Sequence, residues 1–147
     1  MRYGIALGSN VGDRLAHLRA AMEQLAPILV SPVYETEPVD CAPDTPMYLN
    51  AVVEIESELE PEILLQRLQQ IEQSEGRPAS HGVNEPRTLD LDLLYAADLV
   101  INTPTLTLPH PRMTQRRFVL QPLADIRPDL VLPGCRRTVA ELLADVL

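Results

Sequence analysis

The fold of this chain is marked most clearly by residues 87–94, which read RTLDLDLL. Apolar and charged residues alternate along this stretch, which is typical of a β-strand with one buried face. Because strand side chains point to opposite faces in turn, Asp90 and Asp92 should share one face and the leucines the other. Two carboxylates roughly 7 Å apart on one face repel each other unless a cation or water lies between them. With Arg87 just upstream, the pair indicates a site for Mg²⁺ and a polyphosphate.

An exposed strand face that only keeps the protein soluble would show the same alternation, so the rest of the chain has to support this interpretation. The chain is acidic, with a formal net charge of -9, and all 12 of its basic residues are arginine. This balance argues against a general nucleic-acid binder, which needs a basic surface. Several arginines nevertheless cluster in the second half, where they could bind a compact anion or form local ion pairs. They are Arg77, Arg87, Arg112, Arg116 and Arg117.

Length and composition predict one globular domain over residues 1–147 with an ordinary core, since 46% of the residues are hydrophobic and 22% are charged. The sequence has no apolar run of about 18 residues and no basic-then-apolar leader, so we expect neither a membrane span nor secretion. Cys41 and Cys135 lie far apart and form no metal-binding motif. Two unpaired cysteines fit a cytoplasmic protein.

Apolar periodicity predicts the order strand, helix, strand, strand, helix, strand. This order is the ferredoxin-like βαββαβ arrangement, an α+β fold with an antiparallel sheet and helices on one face. A C-terminal hairpin and two further helices would be additions to it. The predicted strands are residues 2–7, 28–36, 48–58 and the strand of residues 87–94; the helices run from about residue 14 to Pro27, from Pro61 to Gly76, from about 114 to 124, and from 139 to 146; the hairpin is residues 99–108.

Three connections carry polar or turn-forming residues. Residues 8–13, GSNVGD, join the first strand to the first helix and could bind phosphate, although tight-turn chemistry is the better explanation of these residues taken alone. Residues 37–46 and 77–86 lack apolar periodicity and are predicted to be mobile loops.

With these segments placed, the chain resembles the 6-hydroxymethyl-7,8-dihydropterin pyrophosphokinases of folate synthesis along nearly its whole length. Any one of the shared motifs could arise by chance, but their ordered set is specific. The motifs are LGSNVGDR at 7–14, YETEP at 34–38, YLNAV at 48–52, IE at 71–72 with GR at 76–77, PRTLDLDLL at 86–94, LPHPR at 108–112 and RRFVLQPL at 116–123.

The resemblance implies that the enzyme transfers the terminal pyrophosphoryl unit of ATP to the hydroxymethyl group of a reduced pterin and releases AMP. It implies two Mg²⁺ ions bound by Asp90 and Asp92, with Arg77 and Arg87 as further catalytic residues. ATP phosphates would contact these two arginines, Arg116 and His110. For His110 alone, a structural role between two prolines would be an equally good explanation. We expect ATP and the pterin to be the partners of a monomer that binds neither nucleic acid nor membranes.

The same resemblance assigns the pterin and the remainder of ATP to further side chains. Phe118 would stack on the pterin, although without the resemblance a single Phe on a helix with apolar neighbours would be assigned to the core. The pterin set is Thr36, Pro38, Val39, Tyr48, Asn50 and Phe118, and the additional ATP set is Gln69, Glu72, Thr105 and Thr107.

The chain departs from the family pattern mainly between Arg77 and Arg87. Ala79 replaces a usual second arginine and Asn84 a usual aromatic residue, so this loop should hold ATP less firmly. These departures leave a second function class open, a non-catalytic module that senses a pterin or a nucleotide. Retention of both aspartates favours the enzyme. An RNA-binding sheet of similar topology is excluded by the charge and by the lack of exposed aromatic residues on the strands.

Overall fold

The computed structural model describes residues 1–10, 12–36, 47–76 and 89–146. These residues form an α+β structure whose principal element is an antiparallel sheet. Its strands are β1 (Arg2–Ser9), β2 (Leu29–Val30), β3 (Tyr34–Thr36), β4 (Tyr48–Glu56) and β5 (Asp90–Ala96), and β6 (Ile101–Asn102) pairs with β7 (Thr107–Leu108) in a separate hairpin. The helices are α1 (Arg14–Leu25), α2 (Pro61–Ser74), α3 (Arg117–Ile126) and α4 (Val139–Val146), with a 3₁₀ turn at Met113–Gln115. No helix among these residues is both long and apolar enough to cross a membrane.

Strand β1 lies at the centre of the sheet, between β4 on one side and β5 on the other. Strands β2 and β3 both pair with the far side of β4, so the order is β2-β4-β1-β5 with β3 beside β2 on β4. Every one of these pairings is antiparallel. The predicted α+β class and antiparallel sheet are confirmed, while the ferredoxin-like pattern of connections stays a prediction.

The single strand predicted over residues 28–36 is divided into β2 and β3. Pro32 lies at the break and has no N–H to donate to a neighbouring strand. Ser31, just before it, keeps the chain attached to β4 because its N–H donates to the Val52 carbonyl at 3.0 Å. The Ser31 hydroxyl in turn accepts the Val52 N–H at 2.9 Å.

The two faces of the sheet are covered by different helices. Helices α1 and α2 pack on the face that carries Ile5, Val53 and Leu93. Helices α3 and α4 cover part of the other face, where they pack on Val52 and Leu94. The predicted helices on one face are thus α1 and α2, and the C-terminal additions cover the opposite one.

A buried charge cluster fastens the end of α3 to the sheet. Glu54 on β4 is fully buried, and Arg127, just after α3, donates to its two carboxylate oxygens at 2.9 and 2.7 Å. The Tyr95 hydroxyl also donates to this carboxylate, and burial together with Glu54 raises the pKa of Tyr95. The ring of Tyr95 lies over Gly4, where an added Cβ would be 2.1 Å from the ring. This packing fixes one end of α3, whose other end reaches the site described next.

Candidate active site

The two predicted metal-binding aspartates lie on one face of β5. Leu91 and Leu93 alternate with them and are buried in the core under α1 and α2. Asp90 and Asp92 are therefore half-buried on the opposite face, the one that α3 covers in part. The same-face placement predicted from the alternation is thus realised on a strand.

A row of residues crosses the sheet from Asp90. Asp90 is paired with Gly8 on β1, Gly8 with Asn50 on β4, and Asn50 with Tyr34 on β3. We call Asp90, Gly8, Asn50 and Tyr34 the site row. Strands are about 4.8 Å apart, so Asn50 and Asp90 face each other across roughly 10 Å above a residue that has no side chain.

Glycine at position 8 keeps the middle of the site row open. A Cβ there would lie 3.3 Å from Asn50 Oδ1 and 3.4 Å from the ring of Tyr48. Asn50 itself is only 6% exposed, and its Nδ2 donates to the hydroxyl of Thr36. The amide of Asn50 is therefore held in place, with Tyr48 and Thr36 beside it.

A cavity of about 420 Å³ lies between β3 and the first turns of α3. This volume falls in the range of small-molecule sites. Phe118 contributes an aromatic ring to its lining, and the Arg116 guanidinium lies 5.5 Å from the centre of that ring. The lining residues are Tyr34, Glu35, Thr36, Arg117, Phe118, Gln121 and Pro122.

His110 lies at the outer edge of β5, near Asp90. The register between β1 and β5 shifts at Leu94, and the Leu94 carbonyl accepts the His110 N–H at 2.8 Å. Burial, and then the charges of Arg116 and Arg112, lower the pKa of His110. Its Nδ1 accepts the backbone N–H of Arg112 at 3.2 Å, so the neutral ring carries its proton on Nε2. The side chain is thus a hydrogen-bond donor at neutral pH.

The two aspartates suit Mg²⁺, which needs few protein ligands, better than a metal whose ligands all come from the protein. No group of three or more His, Cys, Asp or Glu side chains that could hold a metal occurs within the described residues. Mg²⁺ is commonly held by one or two carboxylates and completes its coordination with water and substrate phosphates. Asp90 and Asp92 supply these two carboxylates on one face.

Comparison with known proteins identifies the family. The family model for 7,8-dihydro-6-hydroxymethylpterin-pyrophosphokinase (HPPK) matches residues 4–128. The chain belongs to the HPPK family.

Curated relatives span nearly the same length or are much longer. The pyrophosphokinase of Pseudomonas aeruginosa is 40% identical over 149 residues, covering 97% of this chain and 90% of the relative. The Bacillus subtilis pyrophosphokinase is 47% identical over 128 residues, covering 83% of this chain and 75% of the relative. The folic acid synthesis protein fol1 of Schizosaccharomyces pombe is 39% identical over 145 residues, which are 95% of this chain but only 20% of fol1.

Solved structures share the fold. The wild-type HPPK-DHPS of Plasmodium falciparum, crystallised with pteroate, superimposes with a TM-score of 0.78 at 16% identity. The match covers 98% of this chain and 42% of that chain. At this identity the likeness concerns the fold alone.

Within this HPPK-family chain, the side chains predicted to bind ATP have different surroundings. Glu72 is buried on α2 and its Oε2 accepts the backbone N–H of Leu91, between the two aspartates, at 2.7 Å. It therefore fixes the strand that carries them. The hydroxyl of Thr105 donates to Glu62 Oε2 at 2.8 Å, so that side chain is held at the hairpin. Gln69 and Thr107 are exposed.

Four predicted residues fall outside the described ranges: Arg77, Arg87, Pro38 and Val39. The two predicted loops, residues 37–46 and 77–86, and the departures at Ala79 and Asn84 also fall outside them. The structure therefore brings Asp90 and Asn50 together in the site row and places Thr36, Tyr48, Phe118, Arg116 and His110 around it.

Sequence reasoning missed part of the cavity wall. Tyr34 and Glu35 stand in the YETEP motif, and Gln121 and Pro122 stand in the RRFVLQPL motif, but none of these four was assigned a role. Arg117 was considered only as one of the arginines that could bind an anion or form local ion pairs. A signal was available in the helical spacing of positions 118, 121, 122 and 125, which places them on one face of α3.

Proposed function

We propose that this chain transfers the pyrophosphoryl group of ATP to the hydroxymethyl group of 6-hydroxymethyl-7,8-dihydropterin, giving AMP and the pterin pyrophosphate for folate synthesis. Membership of the HPPK family and relatives named as pyrophosphokinases support this proposal. The observation that carries it is the site row, which sets a carboxylate and a fixed amide on either side of an open glycine. A cytoplasmic monomer remains our expectation.

The aspartates account for the phosphate end of the reaction. Pyrophosphoryl transfer needs alignment of the attacking and leaving oxygens and neutralisation of charge more than covalent help from the protein. Asp90 and Asp92 would hold Mg²⁺, which when bound neutralises phosphate charge and orients the polyphosphate. Glu72 supports this arrangement because it holds the strand between the two carboxylates.

His110 lies close enough to Asp90 and Arg116 for the charge of each to act on it. Arg116 would donate to phosphate oxygens, and the neutral His110 would donate a hydrogen bond from Nε2 to one of them. Arg77 and Arg87 are proposed for the same end of ATP from the family motif alone. Because the pKa of His110 is lowered, this donor keeps the same protonation state throughout neutral pH.

The pterin would occupy the side of the site row formed by Asn50. A flat, neutral heterocycle binds best between apolar faces with a few fixed hydrogen-bonding groups at its edge. Phe118 in the cavity wall supplies an aromatic face, and Asn50, oriented by Thr36, supplies the amide. Tyr48, beside Gly8, is the proposed second wall.

The roles of the aspartates can be tested by charge-removing substitutions. Asp90→Asn and Asp92→Asn should lower AMP release from MgATP and the pterin alcohol by at least about a hundredfold, because each removes a metal-binding charge. Both variants should stay folded, since each substitution also relieves repulsion. AMP release is followed by chromatography.

Asp98→Asn is the matched control, since this exposed residue lies in the turn after the same strand. It should release AMP at the rate of the unaltered chain. Full activity in either site variant would contradict the metal assignment. Pterin binding without AMP release by the unaltered chain would instead favour a sensor.

A further inference from the structure

Tyr34, Gln121 and Asp125 link strand β3 to helix α3. The Tyr34 hydroxyl donates to a carboxylate oxygen of Asp125, across 91 positions of the chain. The hydrogen bond to Asp125 is the main cause that raises the pKa of the Tyr34 phenol, and Gln121 forms a further side-chain hydrogen bond with it. The phenol thus remains protonated, and its proton is available to Asp125. We call these three residues the β3–α3 latch.

The latch joins the two walls of the cavity. Tyr34 lies two residues before Thr36 on β3, and both line the cavity from that side. Phe118 and Gln121 line it from α3, and Asp125 follows Gln121 by one helical turn on the same face. The separation between Thr36 and the Phe118 ring therefore depends on how β3 is held against α3.

Strand β3 has few side-chain contacts besides the latch, namely the Asn50 amide on Thr36 and an exposed ion pair between Arg14 and Glu35 at 3.2 Å. It has three residues and pairs only with β4 among the described strands. A short edge strand is held by few backbone hydrogen bonds, so one side-chain bond to a helix changes its position or mobility measurably. Two residues after Asp125, the C-terminal end of α3 is fixed by Arg127 on the buried Glu54. Helix α3 is therefore held firmly on the sheet, and the hydrogen bonds of the latch hold β3 against it.

We propose that Tyr34 and Asp125 are positioning residues that set the width of the pterin cavity. This inference rests on the function proposed above and adds residues that its family motifs do not assign. The latch holds Thr36, and through it the amide of Asn50, at a fixed distance from Phe118. The cavity then has the width required for the pterin before the pterin binds.

The test uses Tyr34→Phe, which removes the hydroxyl and keeps the ring. We expect its Kd and KM for 6-hydroxymethyl-7,8-dihydropterin to rise about three- to tenfold, as for loss of one hydrogen bond. The Kd and KM for MgATP and the value of kcat should stay within about twofold. Asp125→Ala should weaken pterin binding to the same extent. Asp125→Asn, which keeps an acceptor, should weaken it less. The double variant Tyr34→Phe/Asp125→Ala should lose no more pterin affinity than either single variant.

Tyr3→Phe is the matched control for stability. The Tyr3 hydroxyl donates to the Leu59 carbonyl at 2.5 Å, and the residue lies in the core under α1 and α2, away from the cavity. It should lower Tm at least as much as Tyr34→Phe, because its hydroxyl is more buried, without changing pterin affinity. Should Tyr34→Phe not fold, Asp125→Ala on the exposed side of α3 carries the same test.

The outcomes separate this inference from the proposed function. If the unaltered chain binds the pterin and the Tyr34 and Asp125 variants bind it equally well, the latch is overturned and the function stands. Equal losses for MgATP and pterin, or equal losses in Tyr3→Phe, would mean that the latch contributes only stability. If the unaltered chain does not bind the pterin at all, both proposals fail.

Discussion

Adding one methyl group at Gly8 should close the proposed site while leaving the fold intact. The Cβ of Gly8→Ala would lie 3.3 Å from Asn50 Oδ1 and 3.4 Å from the ring of Tyr48. These contacts are slightly short, so Asn50 and Tyr48 have to move by a few tenths of an ångström. Alanine also fits a strand at least as well as glycine, which offsets part of that cost. The free energy of unfolding should therefore change by less than about 1 kcal/mol.

Binding should suffer more than folding. The new methyl group lies between Asn50 and Asp90 in the site row, beside the amide proposed to bind the pterin. Overpacking of a well-fitted site costs about 1–3 kcal/mol, which corresponds to a loss of pterin affinity of roughly 5- to 150-fold. The loss for MgATP should be smaller, because the nearest atoms to the new Cβ belong to Asn50 and Tyr48.

Gly4→Ala on the same strand provides the contrast. Its Cβ would lie 2.1 Å from the buried ring of Tyr95, so we expect it to lower Tm strongly. Calorimetric titration of pterin and MgATP, with thermal unfolding of both variants, measures the two effects. Unchanged pterin affinity in a folded Gly8→Ala variant would refute the placement of the pterin above the site row.

Further predictions concern the aromatic wall, the metal and the buried histidine. Phe118→Ala should weaken pterin binding by about 1 kcal/mol or more from lost stacking, with much less effect on MgATP binding. An equal loss of affinity for both ligands in titrations would mean that Phe118 is a core residue and not a pterin-binding one. ATP should bind only with Mg²⁺ because the protein is acidic, and calorimetry with and without EDTA should show this; equal affinities would mean another mode of binding. The unfolded chain binds a proton at His110 more readily than the folded one because folding lowers its pKa from 6.5. Stability should therefore fall as pH drops below about 6.5, and His110→Gln should reduce that slope in urea unfolding; an identical slope would contradict the buried neutral ring.

Local patterns predicted those elements whose periodicity is undisturbed. The alternation around Asp90 and Asp92 corresponds to β5, and Pro61 begins α2 as predicted. The strand over residues 28–36 was predicted without its break, although Pro32 stands within that stretch and has no N–H to donate to a neighbouring strand. The helix predicted from about residue 114 begins as an α-helix only at Arg117, after a 3₁₀ turn and an extended Arg116.

Sequence motifs suffice to propose candidate site residues, but they do not show which side chains meet across the fold. The family motif pointed to Asn50 and Phe118, and the structure adds the glycine between Asn50 and Asp90 that keeps the site row open. The link between Tyr34 and Asp125 depends on how β3 meets α3, and no local pattern contains that information. Thr105, predicted for ATP, is bonded to Glu62 because the hairpin packs near the first turn of α2.

The identity of the transferred group tests the central claim most directly. ³¹P NMR of the unaltered chain with MgATP and 6-hydroxymethyl-7,8-dihydropterin should show AMP and a pterin bearing two linked phosphorus atoms, formed in equal amounts and only when the pterin is present. Such a result requires attack on the β-phosphorus of ATP, for which the two aspartates on β5 are proposed to hold the metal. Formation of ADP with a singly phosphorylated pterin, or no turnover that depends on the pterin, would contradict it.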